Sequence, residues 1–96
     1  MIDLTNCRHY YRELECLIPK CEAQPTCFCH YPKHRGHGGR NAGWAYNEGV
    51  PLCFFHHEAL DARAPDWKTH MEVLATVKRL VPAFWESVRA QAEDAA

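Results

Sequence analysis

Apolar positions divide the chain into a rhythmic C-terminal third and an irregular remainder. Trp67, His70, Met71, Leu74, Val77, Leu80 and Val81 recur with a period near 3.6 residues, which predicts an amphipathic helix over 66–81 with these residues on its buried face. Asp66, after Pro65, is placed to cap it. Pro82 lacks an N–H and crowds the preceding turn, so the helix is expected to stop there. A second helix would then begin at Pro82 and bury Phe84, Trp85 and Val88. Upstream, 26–31 is β-prone and 50–52 reads as a short returning strand. The connection over 32–49 holds all five glycines, Gly36, Gly38, Gly39, Gly43 and Gly49, and predicts an irregular loop. Residues 54–62 can form a helix after Cys53, with His57 and Asp61 four apart on one face.

Composition explains how so modest a core could hold together. The chain has 96 residues, enough for one small domain (1–96) whose surface-to-volume ratio makes stability marginal without an added constraint. Six Cys and seven His suggest that the constraint is a metal. Every Cys and six of the His fall within 1–65, a loop-rich pattern suited to a metal-organised unit, with 66–94 as a helical segment. There is no positively charged leader with an apolar stretch behind it and no run of about eighteen apolar residues, so the chain is read as soluble and intracellular, that is, cytoplasmic. In such a reducing compartment clustered Cys favours metal over disulfides. Cys7, Cys27 and Cys29 remain open to a disulfide or to simple burial. Net charge is −1 with pI near 6.6, so no global basic field draws the chain to nucleic acid. Lys33, His34, Arg35 and Arg40 do concentrate positive charge in the loop, as local phosphate contact requires.

The densest chemistry lies in Cys53-Phe54-Phe55-His56-His57. Cys53 and His56 stand at C-x2-H spacing, which lets one tight turn aim a thiolate and an imidazole at one Zn²⁺. His57 then points elsewhere, toward a cation it can share with Asp61. Cys16, Cys21 and His30 supply further donors upstream.

Together these residues resemble a known family. Cys16-x4-Cys21, His30 nine residues on, the loop His34-Arg35-Gly36-His37-Gly38-Gly39, and Pro51-Leu52-Cys53-x2-His56-His57-x3-Asp61 are similar to the HNH endonucleases of the His-Me finger (ββα-metal) class, especially small phage- or prophage-type members. The resemblance spans residues 16–61. It implies a small α+β fold: a two-stranded antiparallel hairpin joined by a long loop and followed by a helix, with a divalent cation between hairpin and helix. It also implies a zinc knuckle and C-terminal helices.

The resemblance further implies a metal-dependent DNA endonuclease or nickase in which His30 is the general base that activates water. A neutral imidazole with pKa about 6.5 suits that role. If His30 is instead a ligand, the base position falls on Tyr31. Asn47, or less closely Asn41, would hold the loop. His57 and Asp61 would bind catalytic Mg²⁺ or Mn²⁺, and Cys16, Cys21, Cys53 and His56 a structural Zn²⁺, with Cys27 or Cys29 as substitutes for one zinc ligand. Lys33, Arg35 and Arg40 would contact DNA, and a homodimer or a phage or host DNA-processing partner would supply specificity. The rival reading is a non-catalytic zinc-stabilised module that binds DNA or protein.

Overall fold

A computed structural model describes residues 2–23, 25–31, 43–61 and 66–94. The elements are α1 (Arg8–Arg12), β1 (Cys27–His30), β2 (Gly49–Leu52), α2 (Phe54–Leu60) and α3 (Trp67–Asp94), with a 3-10 turn at Tyr46–Glu48 before β2. The fold is small α+β, with one two-stranded antiparallel sheet in which Cys27 pairs with Leu52, Phe28 with Pro51, Cys29 with Val50 and His30 with Gly49. Both expected strands and the helix that follows them are present, at these slightly different bounds.

Alternation along β1 sends Cys27 and Cys29 to one face of the hairpin and Phe28 and His30 to the other. Cys29, Val50 and Leu52 are fully buried on the first face, in one apolar cluster with Ala59 and Leu60 of α2 and Val73, Val77 and Val81 of α3. On the second face Phe28 stacks on Tyr11 of α1, ring centroids 5.1 Å apart, beside Cys7 and Val88. A Cβ at Gly49 would land on the Phe28 ring, so glycine is required there. The hairpin is thus a partition with an apolar cluster on each side.

Polar bonds fasten the helices to it. Trp85 Nε1–H donates to Gly49 O at 2.9 Å, and His70 Nδ1–H to Ala59 O at 2.7 Å, which ties α3 to both β2 and α2. Thr26, buried just before β1, lies 2.7 Å from Tyr11 O and 2.9 Å from Leu14 O, so its hydroxyl can serve either carbonyl at the end of α1. Trp44 O accepts from Cys7 N–H at 2.7 Å, and Tyr46 N–H donates to Leu4 O at 3.0 Å, which lays the N-terminal segment alongside 44–46.

The expected break at Pro82 does not occur. α3 runs through it for 28 residues. Proline cannot donate to the carbonyl of Lys78, but both residues are exposed, so water can serve that carbonyl. Val77, Val81 and Val88 stay buried on either side of Pro82 and hold the axis to the core. The buried face also differs from the expected one. It centres on Val73, Val77, Val81 and Val88, whereas Trp67 and Met71 are 68% and 45% exposed. Asp66 does cap the helix, accepting from Thr69 N–H at 2.6 Å.

Among the described residues, no helix is long and apolar enough to cross a membrane.

Candidate metal centres

The first site is assembled by three local devices. Leu17 N–H donates to Pro51 O at 2.8 Å, which runs the segment after α1 along β2 and sets Cys16 beside Cys53. A turn closed by Cys21 N–H and Ile18 O at 3.1 Å then folds the chain back. Lys20 and Glu22 take φ of 68° and 54° in this turn. Non-glycine residues reach that region only at a cost of about 1 kcal/mol or more, and such strain persists where surrounding bonds fix it. The third device is the start of α2: Cys53 is its N-cap and His56 lies in the first turn, so both side chains converge at the helix entrance.

The result is four donor atoms within 4.8 Å of one another: Cys16, Cys21, Cys53 and His56. His56 Nδ1 lies 3.4 Å from Cys16 Sγ, 3.5 Å from Cys21 Sγ and 3.2 Å from Cys53 Sγ, and the Cys21 and Cys53 sulfurs are 3.8 Å apart. Ligands at tetrahedral angles about Zn²⁺, with Zn–S about 2.3 Å and Zn–N about 2.05 Å, stand about 3.8 Å apart for two sulfurs and about 3.6 Å for sulfur and nitrogen. These residues can therefore hold a metal ion such as zinc. None of the three cysteines is in a disulfide.

Electrostatics agree with that chemistry. Burial pushes the Cys16 thiol up to about 12, while backbone N–H groups of Cys53 and Ile18 favour its thiolate and so pull the other way. Burial lowers the pKa of His56 and keeps the imidazole neutral. Without a cation Cys16 stays a thiol, and a bound cation would supply the positive charge that ionises it.

The second site lies one residue further along α2. Its donors are Cys29 of β1, His57 of α2 and Asp61 at the end of α2, again within 4.8 Å of one another. His57 Nε2 is 3.4 Å from Asp61 Oδ2, and its other nitrogen, Nδ1, is 3.0 Å from Cys27 Sγ. Burial first, and the nearby Cys53 and Asp61 second, push the Cys27 thiol up. Neighbouring residues on a helix point about 100° apart. That rotation sends His56 to the first site and His57 to the second.

His57 and Asp61 are thus brought together as the sequence suggests. Cys29 joins them, rather than replacing a ligand of the first site. Alternation along β1 puts Cys27 and Cys29 on one face, but that α2 covers this face is set by packing and not by spacing. His30 does not join them. It faces the other side, half-buried, its ring 4.8 Å from that of Trp44 and 5.2 Å from that of Phe28, with Nε2 2.9 Å from Gly43 O. Asn47 is exposed in the 3-10 turn before β2. Lys33, Arg35 and Arg40, with His34, His37 and Asn41, lie outside the described residues.

The chain matches no described protein family, no curated protein and no solved structure.

Proposed function

We propose that this chain is a metal-dependent DNA endonuclease or nickase of the HNH, ββα-metal type. Cys16, Cys21, Cys53 and His56 hold a structural zinc, and a catalytic divalent ion sits between β1 and α2. The observation that carries the reading is the second centre. A strand, a long connection, a returning strand and a helix place Cys29, His57 and Asp61 together, and an imidazole follows at once in the chain at His30. Three protein donors among the described residues leave a coordination position open for water or substrate, as a catalytic centre requires, whereas a purely structural zinc site is closed by four.

The chain's own residues suit hydrolysis. The Gly43 carbonyl accepts from His30 Nε2–H, which fixes the tautomer and leaves Nδ1 as the basic nitrogen. Trp44 and Phe28 hold the ring plane, so the base loses little freedom when it takes a proton from water. His57 and Asp61 would hold the divalent ion, and its charge would stabilise the phosphate and the leaving oxygen. Lys33, Arg35 and Arg40 supply phosphate contacts that position the backbone.

One observation favours the rival, a zinc-stabilised module without catalysis: His30 is turned to the face of β1 opposite Cys29, His57 and Asp61. Plasmid DNA incubated with the protein and a divalent metal separates the two readings. The enzyme nicks supercoiled plasmid and loses the activity with His57→Ala and with Asp61→Ala. Binding without metal-dependent nicking establishes the module.

A further inference from the structure

We propose that the second centre takes a thiophilic divalent ion of the zinc and cobalt class, held through the Cys29 thiolate, and does not take Mg²⁺. The inference rests on the reading of Cys29, His57 and Asp61 as one metal centre, and it departs from the hard ion that the sequence alone suggested. Mg²⁺ demands near-octahedral oxygen ligands and keeps several waters. Cys29 is fully buried, and its only donor is sulfur. A set of one sulfur, one nitrogen and one carboxylate oxygen suits Zn²⁺ or Co²⁺ with a fourth position open. The His57 Nε2 to Asp61 Oδ2 separation of 3.4 Å equals the nitrogen–oxygen edge of a zinc tetrahedron, about 3.4 Å.

Cys27 completes the arrangement as a positioning residue. Its Sγ lies 3.0 Å from His57 Nδ1, and its thiol donates to Leu52 O at 3.5 Å. With its own hydrogen committed to Leu52, the sulfur accepts from Nδ1–H and leaves Nε2, the nitrogen facing Asp61, to coordinate. Histidine ligands are regularly oriented by such a partner on the other nitrogen. When the ion enters, the Cys29 thiol gives up its proton to solvent and the thiolate takes its place on the metal.

The test loads the whole chain with Co²⁺ in the presence of excess Mg²⁺. Bound ions are counted by native mass spectrometry, and thiolate ligands by the sulfur-to-cobalt charge-transfer absorption. The wild type should bind two ions. Cys29→Ala should bind one and lose about a quarter of the charge-transfer intensity, from four thiolates to three. The charge-transfer band remaining from the first site reports that this variant is folded, and His57→Ala gives the same count if it is not. Cys29→Asp should let Mg²⁺ or Mn²⁺ displace the second ion. A single ion in the wild type, a second ion that survives Cys29→Ala, or one that Mg²⁺ displaces overturns the proposal. Mg²⁺-dependent nicking undiminished by Cys29→Ala would overturn it and leave the nuclease reading standing. Two thiolate-bound ions without nicking would do the reverse.

Discussion

Replacing Cys53 by Ala should unfold this domain near room temperature rather than merely loosen it. Cys53 and Cys21 are 32 residues apart in the chain, and a cross-link that closes a loop of that length removes about 4 kcal/mol of unfolded-state entropy. Zinc ligation would join them without a disulfide, and structural zinc contributes about 10–16 kcal/mol of apparent binding free energy at neutral pH. A domain of this size has about 5–15 kcal/mol in all. The closure term alone corresponds to a fall of roughly 16–32 °C in Tm, at about 4–8 °C per kcal/mol. The damage should also spread, because Cys16 and Cys53 lie in the same apolar cluster as Val50, Leu52 and Val77. Circular dichroism melts, run with zinc, with a chelator and on Cys53→Ala, read the effect directly. A chelated sample shown to contain no metal, yet melting within a few degrees of the loaded protein, would mean that the fold does not depend on zinc.

Zinc uptake should tighten as pH rises. Burial holds the Cys16 thiol protonated up to about 12 and keeps His56 neutral below its ordinary range, so at pH 7 the cysteine must release a proton on binding and the histidine need not. Each unit of acidification should weaken zinc binding about tenfold or more through that proton, and calorimetry in two buffers of different ionisation enthalpy counts it; a Kd constant between pH 6.5 and 8 would contradict it. Pro82→Ala should stabilise the zinc-loaded protein by about 1–3 kcal/mol, because it restores the bond to Lys78 O in an exposed stretch of α3; an unchanged or lower Tm would show that the helix needs the proline. Thr26→Val should cost about 1–3 kcal/mol in denaturant unfolding, since it strips the hydroxyl that serves the Tyr11 and Leu14 carbonyls; a neutral result would mean that water replaces it.

The Cys53 and His56 donors of the first site were legible because their geometry is local. C-x2-H at Cys53 and His56 is one helix entrance, and only the partnership of Cys16 and Cys21 needed the fold. The His57 and Asp61 pair was legible for the same reason, as one helical turn. Cys29 was not, because its place depends on which face of β1 is covered by α2, a fact of packing that no spacing encodes. Pro82 misled for a related reason: the local rule concerns one missing hydrogen bond, whereas Val77, Val81 and Val88 bury the helix on both sides of it. The exposure of Trp67 and Met71 follows from rotation of that helix by its valines, which the apolar count alone does not fix. α1 was also missed, although Tyr10, Tyr11 and Leu14 carry a short helical spacing.

In the proposed nuclease, His30 and the His57/Asp61 centre act together on DNA although they flank opposite faces of β1. Plasmid nicking by zinc-loaded wild type, His30→Ala and His57→Ala, each given added divalent metal and each shown to melt as the wild type does, tests it most directly. The wild type should convert supercoiled to nicked plasmid only with added metal, and both variants should lose that conversion. No conversion by the wild type, or full activity in His30→Ala, would contradict it.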